Sequence, residues 1–186
     1  MVQLTRAKDK ADLQAILDLQ KLNLRKLIGE EEAGKEGFLT AQYTIEMMEQ
    51  MHQFQPSIIA KEGDNVAGYV IITDKNSFGQ HPLLDDLFNS IDQLNYKGNH
   101  LKEINYVLVG QLCVAKAYRG TGLVQKMYHY YKDCLKDQYQ YLVTDVAQEN
   151  QRSIKAHLKT GFEIIHSIEY GGIGWEIVIW DWNNLH

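Results

Sequence analysis

The sequence of 186 residues has little of several features that mark common protein classes. Its two cysteines, Cys113 and Cys134, fall on a predicted strand and a predicted helix, so we expect small core residues rather than a disulfide. It has two prolines, no low-complexity segment and no apolar run near the roughly 20 residues that a membrane span needs. Its polar N-terminus does not resemble a signal peptide. These absences predict a cytoplasmic protein that does not enter a membrane.

Motifs that bind metal ions or nucleotides in familiar ways are absent as well. Neither H-E-x-x-H nor paired C-x-x-C spacing occurs, so no metal site is predicted. The G-x-x-x-x-G-K-[ST] loop is missing, and Gln125 takes the place of the third glycine of G-x-G-x-x-G. The net charge of −5 argues against a general nucleic-acid binder.

The apolar pattern that is present predicts one domain over residues 1–186, built of alternating strands and helices. Strands are predicted at 2–6, 56–61, 66–73, 104–114, 141–147, 162–170 and 175–180. Helices are predicted from the Asp9 cap to about residue 28, after the Thr40 cap, at 83–94, at 123–135, and from the Asn150 cap to Gly161. This order indicates an α/β fold in which a mixed sheet carries helices on both faces.

The connection between the third and fourth predicted strands is long. It runs from about residue 75 to 103 and holds the predicted helix at 83–94, flanked by Gly79, Pro82 and Gly98. Connections of this length in a compact domain usually have a role or are mobile. We therefore expect an inserted helical connection within the single domain.

The most informative stretch joins the strand at 104–114 to the helix that follows it. Arg119-Gly-Thr-Gly122 lies between them, and glycine lets the backbone adopt positive φ and lets a ligand approach the main chain. A helix that begins just after such a loop points unpaired N–H groups and its positive dipole end at one spot. The loop is therefore either a tight turn or an anion site, most often for phosphate.

Two motifs together resemble the GNAT superfamily of N-acetyltransferases, which transfer an acyl group from acyl-CoA to an amine. The first is Leu112-x-Val114 followed by Tyr118-Arg-Gly-Thr-Gly-Leu123, which is similar to the family's R-x-x-G-x-[G/A] loop. It departs from that loop at Val124, where Gly or Ala is usual. The second is Asn150-x-x-Ser153 followed by Gly161-Phe162. The order of the elements agrees with the family along nearly the whole chain.

The resemblance implies a mostly antiparallel sheet whose two central strands, here 104–114 and 141–147, splay apart to admit the pantetheine arm of acetyl-CoA. Main-chain groups of the first strand would bond the pantetheine and the thioester, and the N–H groups of the glycine loop would hold the pyrophosphate. The implied cofactor-binding residues are Leu112, Cys113, Val114, Arg119, Gly120, Thr121, Gly122, Leu123, Val124, Asn150 and Ser153.

Basic residues surround both motifs in a chain that is acidic overall. They are Lys116, Arg119, Lys126, Arg152 and Lys155. The cluster is either a solvated helix face or a site for the phosphates of CoA.

Acyl transfer needs a base, because an alkylammonium with a pKa of about 10 is no nucleophile. The family often places a glutamate on the central strand for this purpose, and the matching residue here is Gln111, which cannot take a proton. Asp145, Glu149, Glu103 or a chain of water molecules could serve instead.

The family often places a tyrosine seven residues after the motif asparagine, aimed at the CoA sulfur. That position is His157 here, predicted to share an inward helix face with Ile154 and Leu158. It is either a core histidine bonded to a carbonyl or a donor to the departing thiolate. Cys113 lies beside the expected thioester, and we expect it to pack rather than to carry an acyl group.

The acceptor is the least determined part of the function. In the family, the segments matching 27–40, 170–174 and the connection at 74–103 shape its pocket, and Glu30-Glu-Glu32 could attract a cation or be an exposed acidic loop. A small-molecule amine is the leading expectation. A protein acetyltransferase and a non-catalytic acyl-CoA-binding module are the alternatives. The protein is expected to be a monomer or a homodimer, the latter if the strand at 175–182 forms an edge.

Overall fold

The computed structural model describes residues 1–24 and 38–183. The strands are β1 (Gln3–Arg6), β2 (Ile58–Glu62), β3 (Asn65–Thr73), β4 (Asn95–Tyr96), β5 (Asn99–His100), β6 (Tyr106–Val114), β7 (Tyr141–Ala147), β8 (Glu163–Tyr170) and β9 (Ile173–Asp181). The α-helices are α1 (Lys10–Lys21), α2 (Ile45–Phe54), α3 (Pro82–Ile91), α4 (Leu123–Leu135) and α5 (Gln151–Thr160). No helix within these residues is both long and apolar enough to cross a membrane.

Seven of these strands form one sheet in the order β1-β2-β3-β6-β7-β9-β8. Every neighbouring pair is antiparallel except β6 and β7, which are parallel and match only Tyr106–Leu108 with Tyr141–Val143. Beyond that short match, β6 stays paired with β3 and β7 stays paired with β9, so a gap opens between them. The predicted mixed, mostly antiparallel sheet with splayed central strands is confirmed.

A β-bulge lies on β6 where the gap opens. Ile71 pairs with Gln111 and Ile72 pairs with Val109, which leaves Gly110 as the extra residue. A Cβ at Gly110 would come within 3.0 Å of the Tyr43 hydroxyl and 3.3 Å of an Ile71 methyl. A larger residue at the bulge would therefore crowd Tyr43 and Ile71, and the bulge bends the strand at the start of the cleft.

The two faces of the sheet are covered by different helices, as predicted. Side chains of α1, α2 and α3 pack on one face, including Leu13, Ile16, Met48, Met51, Leu84, Leu87, Phe88 and Ile91. Side chains of α4 and α5 pack on the other, including Leu123, Met127, Tyr128, Tyr131, Leu135 and Ile154. Alternate residues of the strands point into the two cores, as the pleat requires.

Three predictions about α1, α2 and α5 were wrong. The first helix ends at Lys21 rather than near residue 28, because the Asn23 side chain caps the Leu19 carbonyl at 2.8 Å and the chain turns away. Helix α2 is capped by Thr44 rather than Thr40, since Thr44 accepts from the Met47 N–H. Leu158 does not face inward but is 44% exposed.

The inserted connection contains α3, which begins at Pro82 and ends at Ile91, three residues earlier than predicted. A short β4–β5 hairpin follows the helix. Strand β9 lies between β7 and β8, so the segment that could have formed a dimer edge finishes the core instead. Residues 25–28 of the predicted first helix and the acidic run Glu30-Glu-Glu32 lie outside the described residues.

Candidate active site

The gap between β6 and β7 opens into a cleft with two adjoining cavities. The first, which we call the basic cavity, has a volume of about 330 Å³ and is lined by the glycine loop, the end of β6 and α5. The second, which we call the acidic cavity, has a volume of about 340 Å³ and is lined by α3, β7 and the β8–β9 hairpin. Both are lined by Leu112, Asn150, Ser153 and His157, so the cavities share a wall at these residues.

The basic cavity gathers the residues that the two motifs single out. Its lining includes Leu112, Cys113, Val114, Arg119, Gly120, Gly122, Leu123, Val124, Asn150 and Ser153. Thr121 is not in this lining, and its hydroxyl donates to the Tyr118 carbonyl at 2.7 Å. Asn150 caps α5 by accepting from the Ser153 N–H at 3.2 Å, which places the second motif at the start of that helix.

The glycine loop has the backbone that its sequence predicts. Gly120 and Gly122 both have φ of +78°, and a Cβ at either would meet nothing within 4 Å. Glycine is thus needed for conformation rather than for space. Because Gly122 is the N-cap of α4, the first N–H groups of that helix have no partner within the helix and point toward the loop.

Arg119 fastens the loop to its surroundings. Its N–H donates to the Lys116 carbonyl at 3.3 Å. Its guanidinium donates to the Val114 carbonyl at 3.1 Å and to the Asn23 side chain at 2.6 Å. These bonds tie the loop to the end of β6 and to the turn after α1.

Positive charge lines the basic cavity through Arg119, Arg152, Lys155 and Lys159. Within the described residues, no Asp or Glu lines it. Lys116 and Lys126, which belong to the predicted cluster, are exposed and do not line it. Lys159 was missed, although its spacing of four residues from Lys155 on one helix could have indicated it.

The acidic cavity has the opposite charge. Asp86, Asp145 and Glu169 line it, and in the part of the chain that the structure describes no Lys or Arg does. Its remaining walls are mostly apolar and include Leu83, Leu84, Leu87, Val146, Ile168 and Trp175.

Asp145 is the only one of the carboxylates considered as a base that lines this cavity within the described residues. It follows Val143, the last β7 residue paired with β6, by two positions, and its side chain is partly buried. Burial raises the pKa of Asp145 to about 6. Glu103 and Glu149 are exposed and do not line this cavity. At neutral pH the Asp145 carboxylate is ionised and can accept a proton.

Gln111 also lies in this lining, but its side chain is bound to the protein on both sides. Its Oε1 accepts from the Tyr69 hydroxyl at 2.6 Å and from Gln20 Nε2 at 3.1 Å. Its Nε2 donates to the Ala41 carbonyl at 2.7 Å. The amide is therefore a structural link.

His157 is a buried histidine bonded to a carbonyl. Its Nδ1 lies 2.8 Å from the Ser153 carbonyl, which can only accept, so Nδ1 carries the hydrogen and Nε2 accepts from the Tyr128 hydroxyl at 2.6 Å. Burial lowers the pKa of His157 to about 4. The ring is thus neutral and its single N–H is already used.

Tyr128 was missed, although the spacing of Val124, Tyr128, Tyr131 and Leu135 places it on the inward face of α4.

Cys113 is buried in the wall between the strands and the glycine loop. Burial raises the pKa of its thiol to about 12, so the thiolate needed for nucleophilic attack is scarce at neutral pH. This agrees with a packing role. Among residues 1–24 and 38–183, no three His, Cys, Asp or Glu side chains come together as a metal site.

A parallel strand pair that splays beside a glycine loop and a helix N-terminus defines the protein as an acetyltransferase of the acyl-CoA-dependent kind. The family described as "Acetyltransferase (GNAT) family" matches residues 21–162, and the chain belongs to that family. Acetyl-CoA is the acyl donor of the family, and the basic cavity, with its glycine loop and its lining of Arg and Lys side chains, fits such a donor.

Solved structures share the fold at low sequence identity. The ribosomal-protein-S18-alanine N-acetyltransferase from Escherichia coli has a TM-score of 0.63 and 11% identity, with 100% of this chain and 99% of that chain covered. The protein yncA from Salmonella typhimurium, solved with acetyl-CoA, has a TM-score of 0.61 and 15% identity, with 99% of this chain and 95% of that chain covered. A chain of the NatC complex bound to Gag peptide and CoA has a TM-score of 0.66 and 12% identity, with 97% of this chain and 98% of that chain covered. No curated protein matches the sequence.

Proposed function

We propose that the protein transfers an acetyl group from acetyl-CoA to a primary amine of a small cationic molecule. The observation that carries this proposal is the division of charge along one cleft. The basic cavity suits the phosphates of the donor, and the acidic cavity suits an ammonium group. The two cavities meet at Leu112, on the strand that the thioester would lie against.

In the proposed reaction, Asp145 removes a proton from the bound ammonium so that the free amine can attack the thioester carbonyl. A C–N bond forms, the attacking nitrogen releases its second proton to solvent, the C–S bond breaks, and CoA leaves as a thiolate that takes a proton from solvent. Main-chain groups of Leu112 and Val114 would hold the pantetheine and the carbonyl oxygen. His157 would position Tyr128 and α5, since it has no unused N–H for the sulfur.

The acidic cavity is bordered by α3 and the β8–β9 hairpin, and this enclosure favours a small acceptor over a polypeptide. Helix α3 contributes Leu83, Leu84 and Leu87 to the lining. Asp86 of α3 lies close enough to Tyr170 of the β8–β9 hairpin to raise the pKa of the Tyr170 hydroxyl, so the two elements approach each other across the cavity. A volume of about 340 Å³ is in the range of small-molecule pockets.

The lining also indicates which amines would be accepted. Three carboxylates with no opposing Lys or Arg in the described part of the lining would repel an acceptor that carries its own carboxylate or phosphate. The apolar walls favour an amine with a hydrocarbon body.

The test combines binding and turnover. A thermal-shift titration with acetyl-CoA should raise the melting temperature, because binding adds RT ln(1 + [L]/Kd), about 2.7 kcal/mol at a hundredfold excess over Kd. Thiol release should then be measured with a panel of amines that includes phenethylamine and its carboxylated match phenylalanine. The kcat/KM for phenethylamine should be at least about tenfold higher than that for phenylalanine. Transfer to peptides only would indicate a protein acetyltransferase, and binding of acetyl-CoA without transfer to any amine would indicate a binding module.

A further inference from the structure

A closed set of buried hydrogen bonds surrounds the Gln111 side chain. The exposed fractions of Gln20, Tyr69 and Gln111 are 2%, 0% and 7%. Gln111 accepts from Gln20 and Tyr69 and donates to the Ala41 carbonyl. Gln20 Oε1 in turn accepts from the Tyr43 N–H at 3.1 Å. The two amides therefore link α1, β3 and β6 to residues 41 and 43.

The direction of each bond follows from the partners. A backbone carbonyl can only accept, so the nitrogen of Gln111 must face Ala41. The Tyr43 N–H can only donate, so the oxygen of Gln20 faces it and the Gln20 nitrogen faces Gln111. A carboxylate at position 111 would place an acceptor 2.7 Å from the Ala41 carbonyl oxygen, with no hydrogen between them.

The residues that these amides hold form a wall of the acidic cavity. Residues 38–41 and Tyr43 line it, and the Tyr43 hydroxyl donates to the Gly110 carbonyl at 3.0 Å. This third bond fixes the wall to the bulge of β6, directly beside Gln111. We call residues 38–43 the wall segment.

We propose that Gln111 is a positioning residue that holds the wall segment in place for the acceptor, with Gln20 as its partner. This inference rests on the proposed function, because the wall segment lines the cavity assigned to the acceptor. It gives the glutamine a role of its own at the position where the family often has a glutamate, and it leaves proton removal to Asp145.

The variant Gln111→Glu separates positioning from base catalysis. A protonated carboxyl can donate to the Ala41 carbonyl as the amide does, whereas a carboxylate cannot. If position 111 only holds the wall segment, the variant should lose affinity for the acceptor as pH rises. If the residue at position 111 acts as the general base, the turnover of the variant should increase as pH rises.

The surroundings of Gln111 would not mask this effect. Tyr43, Tyr69 and Cys113 are titratable groups near it, and burial raises the pKa of each, so all three stay neutral at neutral pH. His81 packs against the Tyr43 ring of the wall segment, and burial lowers its pKa, so it is neutral there as well. Asp145, across the cavity, has a pKa of about 6, and a carboxylate at position 111 would raise it. Ratios of variant to wild type therefore report the introduced carboxyl at the upper end of the pH range, where Asp145 is ionised in both proteins.

The experiment measures kcat and both KM values from about pH 6 to about pH 9 for the wild type, Gln111→Glu and the control Gln138→Glu. Gln138 is exposed in the turn after α4, so its variant adds the same charge away from the cleft. For Gln111→Glu, the acceptor KM ratio should rise about tenfold across this range while the acetyl-CoA KM ratio changes less than about twofold. A kcat ratio that rises with pH while the acceptor KM ratio stays flat would overturn the proposal.

Two further readouts cover other failures. If Gln111→Glu does not fold, Tyr43→Phe removes one bond to the wall segment without adding charge, and it should raise the acceptor KM by a pH-independent factor of about three. An unchanged acceptor KM in Tyr43→Phe would then contradict the proposal.

If the wild type acetylates no amine, the proposed function fails. Even then, the melting temperature of Gln111→Glu should fall with rising pH relative to that of Gln138→Glu. If the melting temperatures of the two variants change with pH in the same way, the inferred bonds are contradicted.

Discussion

The two cavities of the cleft are built in different ways. The basic cavity comes mainly from two continuous stretches, the end of β6 with its glycine loop and the start of α5. The acidic cavity combines the wall segment, α3, β7 and the β8–β9 hairpin, which are far apart in the sequence. The difference indicates that the proposed donor side is encoded locally, whereas the proposed acceptor side exists only after the chain has folded around it.

Loss of the proposed base should have the largest effect. Asp145→Asn should lower kcat by about a hundredfold or more, the usual contribution of a general base, with acetyl-CoA binding unchanged. In the wild type, kcat/KM should rise as pH increases through about 6, because the ionised carboxylate is the active form. The control is Glu149→Gln, which removes an exposed acid close to the cleft. A variant at position 145 with wild-type turnover would rule out Asp145 as the base.

A change in the glycine loop should act on the donor side alone. Gly122→Ala forces an L-residue into φ of +78°, which should disturb the N-terminus of α4 and raise the acetyl-CoA KM about tenfold. The acceptor KM should stay within about twofold. Gly63→Ala is the matched control, since Gly63 has φ of +60° in a hairpin turn outside the cleft. Equal effects of both variants on the acetyl-CoA KM would mean that the loop acts only through stability.

Removal of the imidazole should have a smaller effect on turnover. His157→Phe leaves the buried Tyr128 hydroxyl without its acceptor, which costs about 1–3 kcal/mol of folding free energy, and should lower kcat only several-fold. Tyr128→Phe combined with His157→Phe should cost less than the sum of the single variants, because no polar group is then left unpaired. Thermal unfolding and acetyl-CoA turnover assays would measure both quantities. A hundredfold loss in His157→Phe alone, with Tyr128→Phe unaffected, would instead identify the imidazole as an acid.

The sequence predicted those parts of the site that depend on neighbouring residues. Strand β7, the Asn150 cap and the positive φ of Gly122 follow from local patterns, and all three are present. Contacts between distant residues were not predictable in this way. Gln20 and Gln111 are 91 positions apart, and Tyr128 and His157 are 29 apart. The bond from the Leu39 N–H to the Asn23 carbonyl, just beyond the end of α1, is another contact between residues that are distant in the sequence.

The division of the cleft into a donor side and an acceptor side is tested most directly by removing one charge from each cavity. Lys155→Gln and Glu169→Gln each change one exposed side chain, and both KM values should be measured for each variant. The account predicts that Lys155→Gln raises the acetyl-CoA KM about threefold and leaves the acceptor KM unchanged, while Glu169→Gln does the reverse. If either variant shifts both KM values equally, or shifts the KM of the other substrate, the assignment of the two cavities is wrong.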